Sequence, residues 1–391
     1  MNIVYFHRTQ AKGVEGVHIG EIVKAFRRLG HQVTLISPVG ERLGDEAVKP
    51  GAVSAPGLKE RFFRFVSHYL PEFIFELAEM VYNLQALRQT RRHVDVARVD
   101  MIFERYAIFS MIGAYLSKKW GKPLIVEVNY TSCSPLVRRR SALLKPLARR
   151  VDRYIFNQAT GLAAVSSHLK QHLIDTYGIP PEKIVVLPNA ADPNVFDMNR
   201  ITRIALPGAT GKIIGFVGGF YPWHGLEMLL EAFRIVAEKV GTAQLLLVGD
   251  GPMMPIIRQK VHEYRLDDRV ILPGKVAHPE LPGYIANFDI GIMPDSNDYG
   301  SPMKIFEYMS MGKPVVVPDY PPLLDVVQDG QEGRVFRARN VHEMADCLTM
   351  LLTDTAAYTR MAAQARRKIV TRHNWLDNAT VILDLAGMRR S

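Results

Sequence analysis

The sequence has few cysteines and no long apolar run. Cys133 and Cys347 are its two cysteines, and their wide separation indicates neither a metal cluster nor a disulfide framework. A reducing compartment fits this usage. No apolar run reaches the roughly 18 to 20 residues that a membrane-spanning helix needs, and we expect no signal peptide at the N-terminus. The sequence therefore predicts a cytoplasmic protein that is soluble or lies on a membrane surface.

Two common ligand-binding motifs are also missing. The glycines after the first predicted strand, Gly13 and Gly16, do not form G-x-G-x-x-G, so this loop is not a dinucleotide fingerprint. They would let the backbone close on a ligand at the start of the next helix, although a plain tight turn explains them equally well. We identify no DxD metal motif.

Composition and charge restrict the class of partner. The chain has 391 residues, of which 48% are hydrophobic and 23% charged, enough for two domains with large cores. Its formal net charge is +10 and its pI about 9.5. This excess of positive charge favours an anionic partner, which is nucleic acid, an anionic membrane surface or a phosphorylated small molecule.

A strand–loop–helix pattern runs along the chain twice. The first series begins at Met1 and the second at Lys212, and the Pro- and Gly-containing stretch 192–210 between them is the best candidate for a linker. Alternation of strands and helices predicts doubly wound α/β domains, with ligand loops at the carboxyl ends of the strands. A cleft between the two domains is the default ligand site.

The stretch from Ser301 to Pro318 reads as a loop, a short helix and a buried strand. The helix start is a natural anion site because its free N–H groups and dipole favour negative charge. Lys304 near that start could add charge for a phosphate, and Glu307 one turn later could accept from a ribose hydroxyl. A surface ion pair between Lys304 and Glu307 is the equally weighted alternative.

The first half also contains an unusual concentration of basic and aromatic residues. The segment 58–92 mixes aromatic with basic side chains, and 136–156 carries seven Lys and Arg residues against the single acid Asp152. A cationic helix with an apolar face can lie in an anionic bilayer surface, or its apolar stripe can pack on the core. Nucleic-acid binding is less favoured because no stacking platform or helix-turn-helix accompanies the charge.

The order of several motifs resembles one family. GGFYPWHG, LLLVGDGP and SPMKIFEYMSMGKPVV in the second half, with FERY, PLIVEVN and VLPNAADPNVF in the first, are similar to the retaining glycosyltransferase family 4 of GT-B fold. The resemblance covers nearly the whole chain. It implies two Rossmann-like doubly wound domains facing across a cleft: an acceptor-binding domain at 1–205, a nucleotide-sugar-binding domain at 206–372, and a helix at 373–391 that crosses back to the first domain.

The resemblance places the donor in the second domain. Glu307 matches the glutamate expected to bind the ribose, whereas Tyr299 stands where the family has its first glutamate. The donor's sugar and phosphates are then left to Ser301, Pro302, Met303 and Lys304. The backbone of Gly274, Lys275 and Val276 matches the loop that reads the base edge.

The phosphate-binding loop also departs from the family. Gly219 and His224 lie at or near positions where relatives often have Arg and Lys. His224 could donate to a phosphate if it is protonated, or it could simply cap the loop beside Trp223. More of the phosphate contact is therefore expected from Lys304 and from the backbone of the glycine loops containing Gly13, Gly16, Gly218 and Gly219.

The first domain supplies the remaining candidates. Asn129 ends a predicted strand where many relatives have a histidine near the transferred sugar, and an amide can bind a hydroxyl but is a poor base. Glu104, Arg105 and Glu127 are candidates for holding the acceptor or the sugar. Either carboxylate could instead be a structural partner of Arg105. His224, Lys304, Asn129 and Glu104 form the expected catalytic set.

The family therefore predicts retaining transfer of a hexose-type sugar from a nucleotide-diphosphate sugar, without a metal or other cofactor. We expect a lipid-linked or cell-envelope glycan acceptor, with the enzyme peripheral on the inner face of the membrane and no nucleic-acid partner. A soluble small-molecule acceptor and a catalytically inactive nucleotide-sugar-binding protein are the alternatives.

Overall fold

The computed structural model describes residues 1–9, 13–37, 72–134 and 144–388. The chain forms two compact units, Met1–Leu187 with Asn378–Ser391 and Pro188–Asp377. Among the described residues, each unit contains one six-stranded sheet in which every strand pairing is parallel. The expected α/β class and the two Rossmann-like folds are confirmed.

The sheet of the first unit has the strand order β2-β1-β3-β4-β5-β6. Its strands are β1 Asn2–Phe6, β2 Gln32–Ile36, β3 Met101–Arg105, β4 Leu124–Val128, β5 Gly161–Ala164 and β6 Ile184–Val186. The described helices of this part of the chain are α1 Val14–Arg28, α2 Glu72–His93, α3 Ile112–Trp120, α4 Lys145–Gln158 and α5 Ser167–Tyr177.

Helix α1 begins earlier than the sequence suggested. Gly13 has a φ of +70° at its N-cap, and the backbone N–H of Val17 donates to the carbonyl oxygen of Gly13. Gly16 is therefore buried in the first helical turn rather than part of a ligand-facing loop. The apolar side of α1, including Ile19, Ile22 and Phe26, is buried, which agrees with the three- and four-residue spacing of these side chains in the sequence.

The sheet of the second unit has the strand order β12-β11-β10-β7-β8-β9. Its strands are β7 Lys212–Val217, β8 Ala243–Val248, β9 Val270–Gly274, β10 Ile290–Ile292, β11 Val315–Pro318 and β12 Gly333–Phe336. The helices of this part of the chain are α6 Leu226–Lys239, α7 Met254–Glu263, α8 Leu281–Ile285, α9 Met303–Ser310, α10 Pro321–Leu324, α11 Val341–Thr353 and α12 Thr355–Arg372. A last helix, α13, spans Trp375–Leu385.

Residues 188–205, expected in the first domain, pack in the second unit. Asn189 bonds Ser301 through its backbone N–H and its side-chain amide. The Arg366 guanidinium on α12 donates to the carbonyl oxygens of Pro193, Phe196 and Ser310. Because these bonds satisfy buried carbonyls, they fasten the segment to α9 and α12 of the same unit.

The end of the chain completes the first unit. Leu385 of α13 packs so closely on Gly161 of β5 that a Cβ on this glycine would lie 2.3 Å from Leu385 Cγ. Residues from Asn378 onward are accordingly grouped with the first unit. A side chain at position 161 would displace this helix.

The basic helix expected at 136–156 is seen in part, as α4. Residues 58–71 and 135–143, including Arg138, lie outside the described residues. Asp152, the acid of this helix, is buried and accepts hydrogen bonds from Tyr106, Ser132 and Tyr177. The opposite side of α4 exposes the following residues: Lys145, Leu147, Arg149, Arg150, Arg153 and Tyr154. Of the helices that the structure describes, none has the length and apolarity to cross a bilayer.

Candidate functional site

Lys304 extends from the first turn of α9 to the end of β7. Part of its side chain is exposed, but Nζ is shielded from solvent and has no hydrogen-bond partner among the described residues. The ammonium lies 4.1 Å from the centroid of the Phe216 ring, within the range of a cation–π contact. A titrating amine thus extends from the first turn of a helix, whose unpaired backbone N–H groups would also attract an anion.

Burial changes the charge state of this lysine. Desolvation lowers the pKa of Lys304 to about 7, against an opposing effect of the Glu307 carboxylate. Gly218 makes the arrangement sterically feasible, because a Cβ there would lie 2.6 Å from Lys304 Nζ, and its φ of +153° is one that L side chains rarely adopt. The site can therefore gain positive charge when an anion binds.

Glu307 lies on the same helix but does not pair with Lys304. Its Oε1 is 3.4 Å from Nε2 of His278, in the segment that follows β9, and the side chain is buried. The surface ion pair considered from the sequence does not form, since Lys304 turns toward Phe216 instead. Glu307 remains beside the loop that was expected to read the base.

Ser301, Pro302 and Met303 form the entry to α9. Ser301 Oγ accepts from the backbone N–H of Asn189 at 3.0 Å, which leaves the hydroxyl hydrogen available for donation. Pro302 is the extended N-cap residue, and the side chain of Met303 is buried. Ser301 and Lys304 are thus the two residues of this entry with polar side chains.

His224 differs from its expected role as a phosphate donor. Its ring contacts a carbonyl oxygen, that of Gly219, so Nδ1 carries the proton in this bond. Burial, and then the Lys304 charge, lower the pKa of His224 to about 4. The ring is neutral at pH 7, and Nε2 is consequently a hydrogen-bond acceptor that would suit a hydroxyl better than a phosphate.

The expected base-reading loop follows β9. Gly274 has a φ of +84°, and its carbonyl oxygen accepts from Gly249 N–H at 2.9 Å. The side chain of Lys275 is exposed, whereas Val276 packs on the core of the unit. That the backbone of this loop reads the base edge stays a prediction.

Glu104 lies between sheet and helix rather than at an open edge. Its carboxylate accepts from Ser110 Oγ at 2.6 Å and from Gly113 N–H at 3.1 Å, at the start of α3. Burial raises its pKa to about 7, although these two hydrogen bonds oppose the shift. Both oxygens are engaged, so direct contact with a sugar is not supported by this geometry.

Arg105 and Glu127 form a buried ion pair on neighbouring strands. Oε1 of Glu127 accepts from Arg105, and also from the Asn129 amide at 2.8 Å. His18 of α1 joins the pair: Nδ1 accepts from Arg105 at 3.0 Å, which directs Nε2–H toward Glu127 at 3.3 Å. Although burial alone would raise it, Arg105 and then His18 hold the pKa of Glu127 below its usual range.

This network orients Asn129. Because a carboxylate only accepts, the Asn129 amide nitrogen must face Glu127, and its Oδ1 is left as an acceptor. Oε2 of Glu127 is buried without a hydrogen bond within the described residues. The structural alternative for Glu127, a carboxylate paired with Arg105, is thus the arrangement present.

The predicted residues fall into two groups. Those of the second unit gather around α9 and the ends of β7 and β9, whereas Asn129, Arg105 and Glu127 gather in the first unit and Glu104 stays apart. Sequence reasoning missed Asn189, Phe216, His18 and His278. Asn189, His18 and His278 had a signal, since they lie in the family-like motifs VLPNAADPNVF, HIGEIVKAFRRLGHQV and ILPGKVAHPELPGYIANFDIGIMP. Phe216 acquires meaning only through packing. Within the described ranges, no group of three or more His, Cys, Asp or Glu residues is placed to hold a metal.

Two family models match the chain. One, described as Glycosyltransferase Family 4, matches residues 13–195. The other, described as Glycosyl transferases group 1, matches residues 211–354. The two matches follow one another along the chain and together include the residues of both groups described above.

Individual relatives are similar at low identity. Alpha-D-kanosaminyltransferase of Streptomyces kanamyceticus is 24% identical over 357 residues, covering 87% of this chain and 90% of the relative. A GDP-mannose-dependent alpha-(1-6)-phosphatidylinositol monomannoside mannosyltransferase of Mycobacterium tuberculosis is 26% identical over 251 residues, 61% of this chain and 64% of its own length. The crystal structure of Anabaena HepE in complex with UDP superposes with a TM-score of 0.72 at 18% identity, covering 100% of both chains.

Proposed function

Since the chain belongs to the family 4 glycosyltransferases and is an enzyme of EC class 2.4, we propose that it transfers a hexose-type sugar, with retention of configuration, to a lipid-linked or cell-envelope glycan at a membrane surface. The donor is a nucleotide-diphosphate sugar. The relatives whose names specify a donor or acceptor support this substrate class, as does the HepE structure, which contains UDP.

One observation carries the donor assignment. The Lys304 ammonium has no hydrogen-bond partner among the described residues, lies at the start of α9, and has glycine backbone beside it. A buried ammonium without a hydrogen bond is costly unless an anion compensates it. A diphosphate supplies that anion and also accepts from the free N–H groups of the helix.

The same residues account for the chemistry. When the sugar–phosphate bond breaks, negative charge grows on the leaving diphosphate, and donors already aimed at it lower the barrier. Lys304, the α9 N-terminus and the Ser301 hydroxyl are suited to this task. Glu307 would accept from the ribose, and Asn129 Oδ1 would accept from a sugar hydroxyl. We propose that Lys304 takes the place of a metal ion and that no cofactor is required.

Binding assays with defined nucleotides test the donor site. Calorimetry with UDP, GDP and ADP, and with their sugars, should show that the protein prefers one of the three nucleotides. Lys304→Met should lower the affinity for that nucleotide at least tenfold. Lys239→Met is a matched control, because Lys239 is an exposed lysine of the same unit, paired with Asp346. Equal binding by all three proteins would contradict the donor assignment. The anomeric configuration of the product, read by NMR, tests retention.

The membrane surface is supported by charge and exposure on α4. Arg150 and Arg153 are exposed and have no ion-pair partner among the described residues, and each basic residue near an anionic bilayer contributes about 1 kcal/mol. The double variant Arg150→Gln with Arg153→Gln should bind vesicles containing phosphatidylglycerol more weakly. Arg258→Gln with Arg360→Gln changes the net charge equally in the second unit and should not. Equal sedimentation of both variants and wild type would contradict a membrane role for α4.

A soluble acceptor is the second candidate. The kanosaminyltransferase relative favours it, because that protein is similar over 87% of this chain. Absence of vesicle binding, together with transfer to a water-soluble acceptor, would decide for it. A catalytically inactive nucleotide-sugar-binding protein is the third reading, and slow hydrolysis of a nucleotide sugar by the purified protein would exclude it.

A further inference from the structure

The loop between β7 and α6 presents two stacked aromatic rings. The rings of Tyr221 and Trp223 are parallel to within 3°, with centroids 4.6 Å apart. Trp223 is 57% exposed and Tyr221 36% exposed. Aromatic rings of this size normally bury most of their surface, so an exposed flat face of this kind needs a partner or a function.

The stack is built on Gly219. A Cβ at this position would lie 2.4 Å from Cε2 of Tyr221, so a side chain there would push the ring away. The Tyr221 ring lies between the backbone of Gly219 and the Trp223 ring, and Trp223 faces solvent. Pro222 joins the two aromatic residues along the chain. Because the rings are already ordered, a ligand that covers the outer face of Trp223 would lose little conformational entropy.

The stack is connected to the candidate phosphate site by a short series of ring contacts. His224 lies edge-on to Trp223 at 6.1 Å and to Phe216 at 5.6 Å, and Lys304 lies over Phe216 at 4.1 Å. The exposed face is therefore connected to the ammonium through two intervening rings, those of His224 and Phe216.

We propose that the exposed face of Trp223, supported by Tyr221, binds the apolar face of a pyranose ring during transfer. This inference rests on the proposed function and adds residues to it. The ring belongs either to the sugar of the donor or to the sugar of the acceptor. In both cases the C–H groups on one side of the pyranose cover the indole, and a hydroxyl at its edge can donate to Nε2 of His224.

A nucleobase fits this position less well. The base is expected at the loop after β9, and β8 lies between β7 and β9 in the sheet, which separates those two strands by about 10 Å. The Trp223 stack lies on the β7 side, next to the lysine that would hold the diphosphate. Beyond the diphosphate, the next chemical group of the donor is the sugar.

The test compares Trp223→Ala, Trp223→Phe and Leu324→Ala. Leu324 is an exposed apolar side chain of the same unit and is the matched control. Calorimetry measures affinity for UDP and UDP-glucose and for GDP and GDP-mannose, and steady-state kinetics measure KM for the acceptor. Melting temperatures confirm that each variant is folded.

Loss of one aromatic stack should cost about tenfold in the affected constant. If Trp223→Ala weakens binding of the nucleotide sugar but not of the nucleoside diphosphate, Trp223 binds the sugar of the donor. If it raises only the acceptor KM, the acceptor sugar is bound. In both cases Trp223→Phe should retain most of the wild-type affinity, because it keeps an aromatic face, and Leu324→Ala should match wild type.

The inference is overturned if Trp223→Ala matches wild type in every binding constant and in KM. It is also overturned if Trp223→Ala weakens binding of UDP as much as that of UDP-glucose, and binding of GDP as much as that of GDP-mannose. Lys304→Met, measured in parallel, separates this failure from failure of the proposed function. Loss of nucleotide binding in Lys304→Met with wild-type behaviour in Trp223→Ala rejects the aromatic platform alone. Absence of nucleotide binding in wild type rejects both.

Discussion

The Lys304 ammonium and the Phe216 ring lie 4.1 Å apart, the lysine on α9 and the phenylalanine near the end of β7. The ring compensates part of the charge that burial destabilises, which keeps a titrating lysine inside the site. The pKa of this lysine, lowered to about 7, falls within the range where binding of an anion can change its protonation.

Affinity for the nucleoside diphosphate should therefore depend on pH. A bound diphosphate stabilises the charged lysine and raises its pKa, so binding above pH 7 requires uptake of a proton. Between pH 7 and pH 8.5, affinity should fall as pH rises, by at most about tenfold per unit. Calorimetry in buffers of different ionisation enthalpy would measure the proton uptake directly.

The control for this pH effect is Lys304→Met. The variant should bind weakly at every pH and take up no proton through position 304. An equally steep pH dependence in the variant and wild type would assign the titration to another group, and would contradict the link between Lys304 and the diphosphate.

Gly218→Ala should remove the lysine from its position. The added Cβ would lie 2.6 Å from Lys304 Nζ, and the backbone φ of +153° is itself unfavourable for alanine. We expect at least a tenfold loss in nucleotide affinity with a smaller change in stability, since the lysine end can move aside. Gly241→Ala, with nothing within 4 Å of its Cβ position, is the control. Unchanged affinity in Gly218→Ala would show that the close approach is not needed.

Glu104→Gln should stabilise the protein above neutral pH. Burial raises the pKa of Glu104 to about 7 from 4.5, so the folded protein holds this proton more tightly than the unfolded chain does. The contribution of this proton to the free energy of unfolding is complete below pH 4.5. It falls by about 1.4 kcal/mol per pH unit as the pH rises from 4.5 to 7, and it is gone once the pH has passed 7. The amide cannot ionise, so the melting temperature of Glu104→Gln should exceed that of wild type at pH 8 but not at pH 5. A constant difference would contradict this.

Glu127→Gln should destabilise the first unit. It leaves the Arg105 guanidinium buried without its carboxylate, and such a loss typically costs about 3–5 kcal/mol. Replacing both residues, with Arg105→Met and Glu127→Leu, should cost less than the sum of Arg105→Met alone and Glu127→Leu alone. Denaturant titration measures each value. Additive effects would show that the pair is not coupled.

Strands and helices could be predicted from the sequence where an apolar run, or a glycine or proline at one end, gives a strong local signal. Three segments have such signals: the first βαβ unit, the helix α9 after Ser301-Pro302, and the buried run Val315–Val317. The strand Gly333–Phe336 was missed because four mixed residues carry no such pattern. The start of α1 was misplaced because Gly16 suggested a loop, whereas tertiary packing tolerates a glycine in the helix.

The site was predictable as residue types but not as contacts. Lys304 could be chosen from its place at a helix start, yet its turn toward Phe216 depends on a strand about 90 residues earlier. The charge state of His224 depends on burial and on Lys304, and neither is visible in the sequence. Glu104 and Glu127 looked equivalent, but alternation along a strand sends adjacent side chains to opposite faces, and only Glu127 joins Arg105.

The contact between Leu385 and Gly161 has a consequence for biosynthesis. The first unit is built from two stretches of chain that are separated by the whole second unit, so it lacks a part until residues 378–388 have been synthesised. A nascent chain stalled before codon 378 would hold a complete second unit and an unfinished first one. Expression of residues 1–187 alone should accordingly yield an aggregation-prone fragment, which a separate peptide spanning 375–388 would rescue in trans.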